Sequence, residues 1–539
     1  MIKKEKIILV LIFLLALGVR LVNVGYQPTF ISDEASLGYN AWSILKTGKD
    51  EWGKFLPLSF KAFGEYKLPL YIYFAVPFVK IFGLNELSVR LPSVIFGSFT
   101  VIAVYFLVRE LFPDKGEKLP LIASFLLAIS PWHIESSRIA LEANLSLFLV
   151  VFGGFLLLKG LDNQKLLIFS FIVLAASFYA YNVCRFFVPF CFGIWLFLSR
   201  KRIKNLKRLF WPGAVGVLIL VPLLISGFRG TGERLEKVGI FYDPGIKAEI
   251  NEKRTICLNN RPEFICRGLY NRPVFYSLNF VKNYLSHFSW KFLFAKGGGL
   301  AQYGVPGRGE FYFFELPLII LGIIWLVKNY WSVSKLLFTW VFFAPVANSF
   351  TGQAHPVRAI FILPIFQIFA ASGLFLVMEI FKKKTFKFLL ILIFLGIAGL
   401  SFKNFLVDYF VNYPRVYTST WQAGYKPLYF KLAQMEGNYK RIFVTKFYGE
   451  PHIFYLFYRQ YNPKEYQEGK EVVRYDREDK WVNVDRIGKY WFFEKINPKE
   501  IGKEDLVVIA PAERNFELRI LDEIKYQDGK TAFLIGEIK

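Results

Sequence analysis

Leu68-Pro69-Leu70-Tyr71-Ile72-Tyr73-Phe74-Ala75-Val76-Pro77-Phe78-Val79-Lys80-Ile81-Phe82-Gly83 is the stretch whose placement decides the topology of this chain. It is apolar and about 16 residues long, so it invites assignment as a membrane span. Pro69, Pro77 and Lys80 argue against that, because proline interrupts a helix ladder and lysine is costly in hydrocarbon. Tyr71, Tyr73, Phe74 and Phe78 suit a membrane interface. Whether 68–83 crosses or lies flat sets the side of everything downstream.

The rest of the chain is too apolar for an ordinary globular protein, with 54% hydrophobic and only 20% charged residues over 539 positions. Runs at 7–19, 139–158, 166–180, 210–225 and 359–377 reach or approach bilayer-spanning length. Met1-Ile2-Lys3-Lys4-Glu5-Lys6 resembles the front of a signal peptide, but no clear small-x-small site follows, so 7–24 is read as an uncleaved first helix. The net charge of +25 is spread between apolar runs, which fits the positive-inside rule and anionic headgroups and argues against nucleic acid. The basic clusters at 200–208 and 382–387 are therefore placed in the cytoplasm, with the N-terminus.

Counting back from 200–208 gives spans at 184–199, 165–182, 139–159, 119–134 and 88–109. Both ends of 68–83 then fall outside, which makes it an interfacial helix of the first external loop. The alternative is that 68–83 spans and 119–134, broken by Pro120 and Pro131, does not. Counting forward adds 210–227, 313–328, 335–350, 358–380 and 387–403. The expected architecture is a polytopic α-helical membrane protein of about eleven spans, 1–403, with external loops 25–87 and 228–312. A soluble extracytoplasmic α/β domain follows at 404–539. Its expected elements are strands at 441–445 and 505–510, a helix at 452–461, and strands at 516–520 and 531–538. It carries no nucleotide-loop signature, so docking and a structural cap are equally open readings. Cys257 and Cys266, nine apart in the polar loop, can pair if that loop is external, and no zinc-type cysteine spacing exists.

This topology gathers the unusual polar residues on the outer side. Asp33, Glu34, Glu65 and Lys67 fall in the first loop, with Arg90 at the start of the next span. His133, Glu135, Arg138 and Glu142 surround the second loop, and His355 and Arg358 the fifth. Ionisable groups near a bilayer are costly unless paired or hydrated, which makes them functional candidates. Each has a plainer explanation: Arg138 and Glu142 are spaced i, i+4 and could simply pair. Their convergence favours an outward-facing site over a conduction path, which would place charges at mid-membrane. Arg and Lys can hold phosphate oxygens, and a carboxylate such as Asp33 can take a proton from an acceptor hydroxyl or amine. A carboxylate could instead hold a divalent cation.

At Ile31-Ser32-Asp33-Glu34, Tyr66-Lys67-Leu68-Pro69-Leu70-Tyr71, Glu86-Leu87-Ser88-Val89-Arg90-Leu91-Pro92-Ser93 and Ser130-Pro131-Trp132-His133 through Arg138, the chain resembles the GT-C class of membrane glycosyltransferases. Within it, the nearest branch is that of the lipid A aminoarabinose transferases and protein O-mannosyltransferases. Leu68 stands where that pattern has a first proline. The resemblance covers about residues 1–400. It implies a transferase that takes sugar from a polyprenyl phosphate or diphosphate donor at the outer face of the cell membrane, with inversion, and passes it to a lipid, glycan or protein. It implies Asp33 as the base and Arg90, Arg138, Lys67 and Arg358 as phosphate contacts. Glu34 would be a supporting carboxylate or a metal ligand, and a second-loop acid would be Glu135 or Glu142. No cofactor is required by the motifs, although a divalent cation is compatible with them. Sugar, acceptor and metal dependence stay open. The competing readings are a transporter or flippase of lipid-linked sugars and a phosphoethanolamine or acyl transferase. A phosphoethanolamine transferase would want a nucleophilic Thr and zinc ligands in a soluble domain, where the tail offers only His452.

Overall fold

The computed structural model describes residues 3–203, 205–226, 239–242, 244–418, 422–478, 481–514 and 517–538. Part of the expected 228–312 loop, and the start of the expected 516–520 strand, lie outside those residues.

The expected count of about eleven spans is too high. Among the described residues, five helices are long and apolar enough to cross a membrane: Glu86–Leu111, Glu142–Gly160, Leu206–Ile225, Ile360–Ile380 and Lys384–Tyr417. A sixth arises only if Lys118–Ile129 and Pro131–Ser137, bent by 61° at Ser130, count as one. Apolar runs conceal chain breaks, and this is the source of the error. Pro69–Phe82 and Gln164–Ser177 have 14 residues each and Cys184–Leu198 has 15. At about 1.5 Å per residue such helices reach only about 20–23 Å, short of a hydrocarbon core of about 30 Å. Glu315–Asn329 and Trp331–Phe343 are equally short. Lys3–Leu21 has 19 residues, but its first turn is Lys3, Lys4, Glu5 and Lys6.

The chain forms two compact units. One comprises residues 1–19, 96–136 and 142–402. In it, Ile360–Ile380 packs backbone to backbone on Glu315–Asn329. A Cβ at Gly322 would collide with the Phe369 carbonyl, and one at Gly373 with that of Leu318, so glycine sets the close approach. Phe187, Phe192, Trp195 and Trp340 form a buried aromatic cluster nearby. Cys257 and Cys266 are disulfide-bonded between the Pro244–Leu258 and Glu263–Leu269 helices.

The other unit comprises residues 20–95, 137–141 and 403–539. It holds the Ser32–Thr47 helix and an antiparallel hairpin of β1 (Phe60–Ala62) and β2 (Glu65–Lys67), with Phe60 opposite Lys67. The Pro69–Phe82 helix follows. The C-terminal part is a seven-stranded sheet of β3 (Arg441–Thr445), β4 (Val472–Asp476), β5 (Val482–Ile487), β6 (Tyr490–Phe493), β7 (Asp505–Ile509), β8 (Leu518–Lys525) and β9 (Thr531–Ile538). The spatial order is β4-β5-β6-β3-β7-β9-β8. Central β3 runs parallel to both β6 and β7, and these pairings give the α/β character. One face is covered by Phe443, Val507, Ile509, Leu518 and Leu534. Toward the other, the Tyr425–Met435 and Pro451–Tyr458 helices meet through Tyr425 stacked on Phe454 at 4.5 Å. Strands β4, β5 and β6 escape a reading of the sequence because they are short and partly exposed, so no unbroken apolar run marks them.

Candidate active site

Asp33 and Glu34 occupy the first turn of the Ser32–Thr47 helix. Successive residues on a helix point about 100° apart, so neighbours can occupy different environments. Here they do.

Glu34 is fully buried and saturated. Its Oε1 accepts from Arg90 Nε at 2.7 Å and the Ala140 amide at 2.8 Å. Its Oε2 accepts from Arg90 Nη2 at 2.6 Å and the Ile31 amide at 3.4 Å. Arg90 is also 0% exposed, and its remaining donors are engaged. Nη1 donates to the Val24 and Pro28 carbonyls at 2.8 and 2.7 Å, and Nη2 to Thr29 at 3.2 Å. The bidentate pair therefore ties the helix to the 24–29 turn and the 137–141 segment.

Asp33 faces the other way. Its Oδ1 accepts from Lys67 Nζ at 2.7 Å. The Asp33 side chain is 43% exposed, whereas that of Lys67 is 5% exposed. Lys67 ends β2, so the hairpin register carries the ammonium to the carboxylate. Glu65 lies two residues earlier on the same strand, half-buried opposite Ala62.

Arg138 is buried in the same unit. It donates to the Arg20 carbonyl at 2.9 Å and the Gln27 carbonyl at 3.0 Å, and its guanidinium lies 4.6 Å from the Phe410 ring centre. Asp33, Glu34, Glu65, Lys67, Arg90 and Arg138 thus share one compact unit.

His133, Glu142, His355 and Arg358 belong to the other unit. His133 is buried in Pro131–Ser137, and Glu142 opens Glu142–Gly160 half-buried. His355 accepts from the Val357 amide at 3.2 Å and lies beside Tyr303. Arg358 donates to Thr351 Oγ1 at 3.2 Å. Glu135 is buried and accepts from the Val305 amide at 3.2 Å. Glu310, whose Oε1 accepts from the Gly298 amide at 3.0 Å, is held well above the usual carboxylate range by burial, with Glu135 adding to the shift.

Glu51 is a group that reading the sequence misses. Buried seven residues past Ile44 in the loop after the helix, it accepts from Asn40 Nδ2 at 3.2 Å, and its amide donates to Asn40 Oδ1 at 3.2 Å. Arg474 Nη1 donates to its carbonyl at 3.0 Å from between the rings of Trp52 and Tyr466. Burial pushes the Glu51 carboxyl up to about 7. The Asp50-Glu51-Trp52-Gly53 turn was the available signal, but it reads as an ordinary solvated loop. Among the described residues, no group of three or more His, Cys, Asp or Glu is arranged to hold a metal ion.

The fold is GT-C-like. Residues 67–225 match the dolichyl-phosphate-mannose-protein mannosyltransferase family. The whole chain is similar to ArnT from Cupriavidus metallidurans in the apo state, at 12% identity and TM-score 0.55 over 98% of this chain and 97% of that one. The same enzyme bound to undecaprenyl phosphate matches over the same shares, at 12% identity and TM-score 0.50. An apo oligosaccharyltransferase from Archaeoglobus fulgidus is 14% identical, with TM-score 0.50 over 84% of this chain and 63% of its own. An uncharacterized protein of Aquifex aeolicus (strain VF5) is 27% identical over 329 residues. That alignment takes in 60% of this chain and spans 58% of the relative's length.

Proposed function

We propose that this protein is a polyprenyl-phosphate-sugar-dependent glycosyltransferase, with Asp33 as general base. The observation that carries the reading is the contrast within one helical turn: Glu34 is fully buried and locked into Arg90, while the Asp33 side chain is 43% exposed and pairs with Lys67. ArnT, the similar structure of widest coverage given above, binds undecaprenyl phosphate. A donor of that kind, with mono- or diphosphate linkage, suits a membrane chain with an ammonium beside a carboxylate.

In this reading Lys67 releases Asp33 to take a phosphate oxygen of the donor. The Asp33 carboxylate is exposed enough to be solvated once released, and the donor phosphate replaces it as the partner of the buried ammonium. Asp33 accepts the proton of the acceptor hydroxyl or amine as that atom attacks the anomeric carbon. The bond from anomeric carbon to phosphate oxygen breaks, the polyprenyl phosphate leaves with the electron pair, and Lys67 offsets its charge. Configuration inverts because attack and departure are on opposite sides.

Arg90 and Glu34 support the site from behind, since their polar atoms are already engaged. The surroundings of Glu34 fit a guanidinium and not a divalent cation, because a cation there would have to displace Arg90. A structure of the archaeal oligosaccharyltransferase was solved with Zn and sulfate. No step here is routed through a metal. Arg138 is engaged in the same way, and Glu65, two residues before Lys67 on β2, is a candidate for donor or acceptor contact. The basic clusters favour the cytoplasmic side of the cell membrane for residues 200–208 and 382–387, so the last span, Lys384–Tyr417, puts the C-terminal domain outside, and Asp33 shares that domain's compact unit. The acceptor is a lipid, glycan or protein.

The test is transfer by purified protein in liposomes from a panel of radiolabelled undecaprenyl-phosphate sugars to endogenous lipid extract, with the product's anomeric configuration read by NMR. Transfer with inversion supports the proposal. Movement of intact donor between leaflets without transfer would replace it with the flippase reading.

A further inference from the structure

We propose that Gln422 is a positioning residue for Asp33, by which the C-terminal domain sets the catalytic helix. This rests on the reading of Asp33 as base.

The Ser32–Thr47 helix begins without a side-chain cap at Ile31, since isoleucine has no acceptor. The first helical amide, that of Ser32, is adjacent to Asp33, and an amide at that position has no partner within its own helix. It donates instead to Gln422 Oε1 at 2.9 Å, across 390 residues of sequence. The other end of the same amide group is also fixed: Gln422 Nε2 donates to the Tyr448 carbonyl at 2.7 Å. Gln422 is thus a two-handed clamp between the loop after β3 and the first turn of the helix that carries the base.

Two backbone features show that the clamp is built. Gln422 has φ +53°, in the left-handed region that side chains rarely adopt. Gly449, with φ +111°, lies against it, and a Cβ there would stand 2.7 Å from Gln422 Nε2. Glycine at 449 therefore makes room for the amide of Gln422.

The clamp has company along the helix. Tyr39 Oη donates to the Tyr461 carbonyl at 3.2 Å, and Gln467 Nε2 donates to Ser43 Oγ and Thr47 Oγ1 at 2.9 Å each. A Cβ at Gly38 would stand 2.6 Å from the Phe457 ring. Those contacts hold the body of the helix. Gln422 alone of these holds the end at which Asp33 meets Lys67. Loss of its contact would leave the helix and its Glu34 anchor in place but loosen the Ser32 end of the first turn, and a misplacement of about 1 Å can cost about 10²-fold in rate.

Gln422→Gly separates this role from a structural one, because glycine adopts φ +53° without strain while removing both hydrogen bonds. In the full-length protein, the expected results are an unchanged melting temperature and amide exchange at 32–35 at least tenfold faster, with exchange at 37–46 unaltered. With the undecaprenyl-phosphate sugar the wild type uses, kcat should fall about tenfold at constant donor KM. Wild-type exchange at 32–35, or wild-type kcat, overturns the inference. Asp33→Asn is assayed in parallel. If it retains wild-type turnover, the base reading has failed. If it is inactive while Gln422→Gly is not impaired, only the positioning role has failed.

Discussion

Asp33 and Glu34 carry the same charge on adjacent residues of one helical turn, and the fold treats them oppositely. Glu34 is removed from water and given a bidentate guanidinium and two backbone amides. Asp33 keeps 43% of its side chain exposed beside one buried ammonium. Burial of both members makes the first pair costly to break, whereas in the second the exposed carboxylate can be solvated when another anion takes the buried ammonium. An identical functional group becomes a strut on one side of the turn and an available base on the other. Sequence position alone cannot assign these roles; the partners brought from residues 67, 90 and 140 do.

The contrast can be broken most severely at the strut. Arg90→Ala leaves the Glu34 carboxylate buried without its counter-ion and should cost about 3–5 kcal/mol of stability, read as loss of folded protein in denaturant titration of the reconstituted chain. If instead Arg90→Ala folds normally and loses only activity, Arg90 belongs with the reacting groups.

A smaller effect is expected at Glu51, and its sign is diagnostic. Burial holds its carboxyl at about 7, above its ordinary 4.5, so the folded chain binds the extra proton. The penalty for ionising it is absent below about pH 4.5, grows as pH rises toward 7 and is complete above that, reaching about 3 kcal/mol. Glu51→Gln should therefore stabilise the protein at pH 8 and do little at pH 5, by melting curves at the two values. Equal effects at both would show that Glu51 is ionised throughout.

Gly38→Ala is expected to cost about 1–3 kcal/mol, because the new methyl meets Phe457 and Val89 at 2.6 Å. Lys67→Met should be mildest for stability, within about 1 kcal/mol, since the part-exposed Asp33 carboxylate can be solvated. The same variant should still lower sugar transfer, and a large melting shift would mean Lys67 is a second strut.

How much of this was legible in the sequence differs between the two sides of the turn. Apolar runs fix the membrane class, and β3 and β7 stand out because both read as uninterrupted buried strands, Arg441–Thr445 and Asp505–Ile509. The span count fails at places such as Ser130-Pro131, where one apolar run is two helices bent by 61°. Asp33 and Lys67 can be picked out as polar groups beside apolar segments. The saturation of Glu34 cannot, because it depends on the Ala140 amide, and backbone donors leave no trace in residue identity. Glu51 and Gln422 are equally silent: each acquires its role from partners hundreds of residues away, Arg474 in one case and Ser32 in the other.

The account turns on Asp33 as the group that takes the proton. Asp33→Asn keeps the size of the side chain and an oxygen that can accept from Lys67, but removes the basic carboxylate. Turnover of an undecaprenyl-phosphate sugar by this variant, with its melting temperature recorded on the same sample, is the direct measurement. The account predicts a fall of about 10²–10⁴-fold at unchanged melting temperature. Wild-type turnover from the folded variant would contradict it.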